Sequence, residues 1–462
     1  MDEASSENTI LRNCLESLDL GKLARESGWS AKSRKVGALN WCMSLCLASA
    51  HKAPSLRIAA HFLGLVDALT VSKQAMHKRL LKGGVKLLEK ALEAAIATKA
   101  HCRRGARLGG FNRVLVQDST NLKLPEALKR AYPGSSNQCG STAIMKIQAI
   151  YDMVGDRFAA FSLSAFTRND QAAALDILEV VEAGDLILRD LGYFTFGSLE
   201  RIASKGAWFL SRLKGGVNLY DPDTGEEIDL NAALRGRGKV DMRVLAGEKA
   251  RLPVRLIAIE LNEETANSRR RKAKGNRDRR TNPGKRSLEL LGWQIMLTNC
   301  DGEQLPIGQA REIYSMRWRI ETIFKAWKSG LGIDEFASRV SAPMAEAIVQ
   351  AALLRITLIH AVVIPWLEAR DPNRKVSVVK LMDLISMSSS FVSQDAKANE
   401  NVLENLSKHC RYDKRKRKNT LEKWDLLVSQ MEELSCRQCV CAVAGSGQGP
   451  RCARAGFVIP LD

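Results

Sequence analysis

The chain is short of acid: 51 Asp and Glu face 70 Lys and Arg over 462 residues, a formal charge of +19. Such a field favours a polyanionic partner, nucleic acid or an anionic membrane surface, without choosing between them. An apolar leader is also missing, because Met-Asp-Glu-Ala-Ser-Ser-Glu-Asn opens the chain with acidic and polar residues, and a cytoplasmic location is expected. No clean membrane-length run occurs. The most apolar stretch, 345–366, carries Glu346, Gln350, Arg355 and His360 before Pro365, which reads as a core helix. A disulfide framework is absent too: eleven cysteines, an odd number scattered over a long chain, suggest reduced thiols. Cys436, Cys439, Cys441 and Cys452 offer four thiols near the C-terminus, but the single Cys-x2-Cys has no matching pair and no nearby histidine, so zinc is disfavoured.

What is present is a chain long enough for two or three domains, with an ordinary 45% of hydrophobic residues. Residues 1–105 read as a helical N-terminal unit. Ser72 can cap a helix that carries Lys73, His77, Lys78, Arg79 and Lys82, and this basic surface either enters a DNA groove or is a solvated face. A basic, glycine-containing connector marks a boundary near 105–111. Two short apolar runs then each end on an acid: Val114-Leu115-Val116 leads to Asp118, and Leu186-Ile187-Leu188 leads to Asp190. Runs of this kind are strands buried on both faces, delivering a carboxylate at their C-terminal ends. An isolated aspartate there is more often a turn or cap residue. Asp170, Asp176 and Asp185 compete for attention, the first as a helix cap, the second as a solvated position on a helix over 170–181, and the third as a strand-entry turn.

Further strands are expected at 147–153, 158–163 and 207–213, with a helix near 197–204. Between 215 and 291 the alternating runs 240–245 and 254–261 predict an antiparallel β insertion. Within it, 269–286 holds ten Lys or Arg against one Asp, beginning Arg269-Arg270-Arg271-Lys272, which looks too basic to pack and suited to phosphates. Trp293 opens the next strand. Beyond it, on one continuous helical wheel, Tyr314, Arg317, Glu321 and Lys328 share an arc of roughly 60° opposite an apolar stripe. An Arg317–Glu321 ion pair on a solvated face would produce the same stripe. After about residue 373 the pattern is mostly helical, with a second basic run at Arg411 and Lys414–Lys418.

The order Tyr-x2-Arg-x3-Glu-x6-Lys at 314–328 resembles the signature of the DDE transposases of the insertion-sequence-four family, and Asp190-Leu-Gly-Tyr-Phe resembles that family's second-acid motif. The resemblance implies an α/β fold with a ribonuclease-H-like core, a mixed five-stranded sheet with helices, interrupted by the β insertion. Its parts would be 1–105 for DNA binding, 106–214 and 292–372 for catalysis, 215–291 for the insertion, and 373–462 as a helical C-terminal region. It implies Asp118, Asp190 and Glu321 as catalytic acids holding two Mg²⁺ ions, with Mn²⁺ as a substitute. Tyr314, Arg317 and Lys328 would engage phosphates and Trp293 would stack on a flipped base. Lys73, Arg79 and Arg269–Lys272 are further candidate contacts to double-stranded DNA. A homodimer on transposon ends, a hairpin route for the second strand, and a bacterial, nucleoid-associated protein without a membrane role are also implied. A metal-dependent nuclease on the same fold and a catalytically inactive DNA-binding derivative are the competing readings.

Overall fold

The computed structural model describes residues 7–29, 36–67, 69–98, 108–137, 140–275, 283–338, 340–388, 404–413 and 418–444. Its centre is one mixed sheet whose strands are β1 (Val114–Leu124), β2 (Pro133–Asn137), β3 (Gly140–Asp152), β4 (Arg157–Ala165), β5 (Leu186–Arg189), β6 (Trp208–Arg212), β7 (Leu219–Tyr220), β8 (Lys239–Ala246), β9 (Leu252–Glu260) and β10 (Trp293–Thr298). Five of them run in the order β4-β3-β1-β5-β6. The β4–β3 and β3–β1 pairs are antiparallel, and β1–β5 and β5–β6 are parallel. That is the mixed five-stranded core implied by the resemblance, with the two apolar runs as its parallel pair.

The insertion does not stand apart from this core. Its β8–β9 hairpin pairs through β9 with β10, and β10 pairs with β6, so the sheet continues outward as β6-β10-β9-β8-β7. Nor is its basic stretch unpacked. Asn262 caps the helix Glu263–Lys274 by accepting from the Thr265 amide, and Glu263 and Glu264 complement the dipole in the first turn. Arg269 donates to the Trp293 carbonyl and Arg270 to the Leu288 carbonyl, leaving Arg271 and Lys272 exposed. Long stems let these arginines reach β10 and the helix Lys285–Leu290, where their heads find acceptors. Residues 276–282 lie outside the described residues.

Alternation along the strands divides the core in two. Val114, Val116, Leu186 and Leu188 join one hydrophobic cluster, whereas Leu115 and Ile187 join the other on the opposite face. The first cluster is closed by helix Trp318–Leu331, by helix Ala342–Leu358 and by the N-terminal helices Ala38–Ala48 and Val85–Ala97, which pack on the latter. The apolar helical stretch Ala342–Arg370 has 89% of its most apolar window buried inside the protein, as a core helix should. It passes through a π-turn at Ile359–Val363 just before Pro365, whose missing amide cannot sustain regular pairing. Helix Val378–Ser388 seats against Trp318–Leu331 so closely that a Cβ on Gly330 would stand 2.9 Å from the Asp383 amide nitrogen.

Two expectations about helices fail. Residues 170–181 form turns and a short 3₁₀ helix, Asp176–Glu179, rather than an α-helix. The Ala173 carbonyl accepts from the Asp176 amide and from the buried Gln117 side chain, and the Ala174 carbonyl from the buried Arg189 side chain. The helix through Tyr314 is also two helices, Ile307–Ser315 and Trp318–Leu331, joined by a tightened turn with i→i−3 bonds at Met316, Arg317 and Arg319. The wheel that placed Tyr314 and Lys328 on one unbroken stripe therefore does not apply across residue 316.

Candidate active site

The register of the parallel pair positions the first two acids. Gln117 stands opposite Arg189, so Asp118 and Asp190 are each one residue past the pairing, on neighbouring strands that run about 4.8 Å apart. Both follow the alternation of Val114-Val116 and Leu186-Leu188 and thus belong to the sheet face covered by helix Trp318–Leu331. That helix buries Ile320, Ile323, Phe324 and Trp327 and turns Glu321 toward the acids. Asp118, Asp190, Arg317, Glu321, Lys325 and Lys328 line one cavity of about 630 Å³.

Arg317 ties the cavity together. Its Nη1 donates to Asp118 Oδ2 at 2.7 Å and its Nη2 pairs with Glu321 Oε1 at 2.7 Å. The expected Arg317–Glu321 pair is thus present, but on a guanidinium only 8% exposed, not on a solvated face. Asp118 Oδ1 accepts from the Ser119 amide. Burial pushes the Asp118 carboxyl up to about 6, with Arg317 and the Ser119 amide pulling the other way and the charges of Glu321 and Asp190 adding to the rise. The Asp190 carboxylate makes no cap bond to the 3₁₀ turn Leu191–Tyr193 that follows it, so the cap alternative does not hold there. Tyr314 is buried and its hydroxyl donates to the Arg189 carbonyl at 3.1 Å, fixing the residue before Asp190. Lys328 is half-buried, and burial lowers its pKa.

Among the described residues no three carboxylate, imidazole or thiol groups converge closely enough to hold a metal ion as they stand. Between Asp118 and Glu321 the Arg317 guanidinium takes that place. The donor set nonetheless suits a hard divalent cation, being carboxylate oxygen on one cavity. The Cys452 position and the side chains of Cys436, Cys439 and Cys441 lie outside the described residues, as do Lys414–Arg417 and the basic connector 99–107.

The remaining residues singled out in the sequence sit elsewhere. Trp293 is half-buried and lines a second cavity of about 660 Å³ with Leu191, Arg212, Lys214, Arg269 and Arg286. Lys73 and Arg79 belong to the helix Lys73–Arg79, capped by Ser72 through the Ala75 amide; Lys73 is exposed and Arg79 is half-buried. Asp185 is a strand-entry residue, accepting from the Glu182 amide and pairing with Arg113. Asp176 is not simply solvated, since Arg168 grips it with both guanidinium nitrogens. Asp170 does not cap a helix: its Oδ1 accepts from Ser119, Lys146 and Gln148.

Residues 109–356, more than half of the chain, match the family described as Transposase DDE domain. The chain belongs to this family of DDE transposases. It is 27% identical to the transposase for insertion sequence element IS231C of Bacillus thuringiensis subsp. berliner over 83% of this chain and 85% of that one. It is 26% identical to the transposase for IS1151 of Clostridium perfringens over 69% of this chain and 72% of that one. Among solved structures, a piggyBac transposase in a synaptic complex with hairpin DNA aligns over 88% of this chain and 87% of that one, with 9% identity and a TM-score of 0.41. This transposase is accordingly an enzyme of DNA strand cleavage and transfer, and DDE transposases as a class depend on divalent metal.

Proposed function

We propose that the transposase binds the inverted repeats at the ends of an insertion sequence and cuts and joins DNA with Asp118, Asp190 and Glu321 as its catalytic acids. The observation that carries the reading is the β1–β5 register, which brings two acids side by side beneath the helix that bears the third. Divalent cations, Mg²⁺ with Mn²⁺ as substitute, would lie between these carboxylates and supply Lewis-acid activation of the attacking and leaving oxygens of an in-line displacement. Arg317, which bridges Asp118 and Glu321 here, would pair with phosphate oxygens in a fork once those carboxylates held cations, and Lys328 would add a point charge along the same helix. Tyr314, bonded to the Arg189 carbonyl, serves by holding the Asp190 turn.

Around this centre, residues 1–105 would bind the repeats with Lys73 and Arg79, and Arg269–Lys272 of the insertion would lie along phosphate. Trp293 would accept a flipped base in its cavity, which supports a hairpin route for the second strand. The five parts suggested by the sequence and a homodimer on DNA complete the reading. The test is a labelled duplex carrying the repeats that flank the gene, incubated with and without Mg²⁺. Metal-dependent nicking at the repeat boundary, lost in Asp118→Ala, Asp190→Ala and Glu321→Ala with repeat binding retained, is expected. Normal cutting by any one of the three removes that residue from the centre, and binding without cutting by the wild type favours an inactive DNA-binding derivative.

A further inference from the structure

Asp170 belongs to none of the motifs, yet it touches both acid-bearing segments. Its Oδ1 accepts from Ser119 Oγ at 3.0 Å, from Lys146 Nζ at 3.1 Å and from Gln148 Nε2 at 3.2 Å. Ser119 is the residue whose amide donates to Asp118 Oδ1 at 2.8 Å, so one residue links the two aspartates, amide to one and hydroxyl to the other. On its other side Asp170 lies against the turn after Asp190. A Cβ on Gly192 would stand 3.1 Å from Asp170 Oδ2 and 3.3 Å from its Cβ, so the glycine of Asp190-Leu-Gly-Tyr-Phe leaves room for this carboxylate. Tyr193, the next residue, donates its hydroxyl to Gln148, which itself donates to Asp170.

The cluster is costly to keep. The Lys146 side chain is 7% exposed and pairs with Asp170, and an ammonium so placed needs its partner. Gln148 is buried and is satisfied by Tyr193 and Asp170 together. These bonds tie the loop after β4 to β1, to β3 and to the Leu191–Tyr193 turn, the segments that carry or follow Asp118 and Asp190.

We infer that Asp170 is a positioning residue of the transposase: through Ser119 on one side and the Gly192–Tyr193 turn on the other, it sets the separation and orientation of Asp118 and Asp190. The inference rests on the assignment of those two acids as metal ligands. Outer partners that orient metal-binding side chains are worth roughly 10–100-fold in metal affinity or activity. Asp170 does not itself line the cavity that Asp118, Asp190 and Glu321 share.

The test compares Asp170→Ala, Asp170→Asn and Asp118→Ala in the full chain, by repeat binding, by cleavage against Mg²⁺ concentration, and by calorimetric titration with Mn²⁺ in the absence of DNA. Asp170→Ala is expected to bind the repeats within about twofold of wild type while its half-saturating Mg²⁺ and its Mn²⁺ dissociation constant rise roughly 10–100-fold. Asp170→Asn keeps an oxygen for Ser119 and Gln148 but not the charge that Lys146 faces, and is expected to recover part of the loss. Should Asp170→Ala fail to fold, Gly192→Ala presses on the same contact from the other side and is expected to show the same weakened metal response. An unchanged metal response in Asp170→Ala or Gly192→Ala, with Asp118→Ala inactive, overturns the positioning role alone. Loss of melting temperature and repeat binding in step with activity, with no rescue by Asp170→Asn, also overturns it. Wild-type cutting by Asp118→Ala would instead remove the acid assignment and the inference with it.

Discussion

Arg317 and Arg319 are two residues apart at the start of one helix, and they face opposite worlds. Arg317 lies at the wall of an open cavity and bridges Asp118 and Glu321. Arg319 is 1% exposed, pairs with Asp156 at 3.4 Å beneath Tyr151, and leaves its Nε and Nη1 without partners. Burial acts against both guanidinium charges, and neighbouring acids more than restore them, so both pKa values end above the usual one. Equal chemistry thus serves two purposes. An arginine in the core is a structural commitment, because its partner cannot be solvated if it leaves. An arginine at a cavity wall keeps its carboxylates within reach of water, so losing it strands no buried charge.

The largest effect should therefore come from the residue without a catalytic role. Arg319→Ala leaves Asp156 charged and 8% exposed, and breaking a buried pair of this kind costs about 3–5 kcal/mol. Urea denaturation of Arg319→Ala and Arg317→Ala would compare the two sites directly. Arg317→Ala is expected to lose much less stability, because water entering the cavity can reach Asp118 and Glu321, but to cut far more slowly. Equal destabilisation by both substitutions would abolish the distinction.

A pair of tryptophans repeats the contrast at smaller scale. Trp327 has no exposed surface and packs on Phe158, Phe161 and Phe324, whereas Trp293 lines a cavity with four basic side chains. Stacking of a base on an aromatic ring is worth about 1–3 kcal/mol. Trp293→Ala should slow second-strand cutting by roughly the corresponding 5- to 150-fold, with first-strand nicking and folding nearly unchanged, as a gel that resolves both products would show. If Trp293→Ala unfolds the chain, Trp293 belongs with Trp327 as core.

These contrasts mark what was legible before the structure. Local patterns, a doubly buried strand and a helix face, made Asp118, Asp190 and Glu321 candidates, but only the resemblance to the family's motifs set them apart from turn, cap or surface residues. Which acid neighbours which depends on the β1–β5 register, set by residues about seventy positions apart, and no local period encodes it. The same limit hid Asp170, whose partners lie 22 to 51 residues away in sequence, and made it look like a helix cap. Where a helix was expected, the Ala173 and Ala174 carbonyls also take bonds from Gln117 and Arg189, partners distant in sequence. The break at Met316 was invisible for a related reason: apolar spacing continues through it while Tyr314 and Arg317 are each drawn to a different strand. Basic composition suggested a stretch too charged to pack, yet Arg269 and Arg270 find the Trp293 and Leu288 carbonyls, partners that no local pattern shows.

The smallest expected effect sharpens the account of the cavity itself. Without metal, Asp118 titrates near 6 instead of its ordinary 3.8, so folding disfavours its charge even with Arg317 beside it. Because its folded value lies above the unfolded one, ionised Asp118 costs stability above pH 6, and the cost fades as pH falls from about 6 toward 3.8. Asp118→Asn should therefore melt a few degrees above wild type at pH 7.5 in metal-free buffer, and the gap should close as pH is lowered through that window. Metal follows the opposite course. Protonation removes a ligand, so half-saturating Mg²⁺ for wild-type cleavage should climb as pH drops below about 6. A lower melting temperature for Asp118→Asn at pH 7.5 would mean that the Arg317 bridge stabilises the fold outright. In that case Arg317 would resemble Arg319 after all, and the cavity would be held closed against a cation rather than poised to accept one.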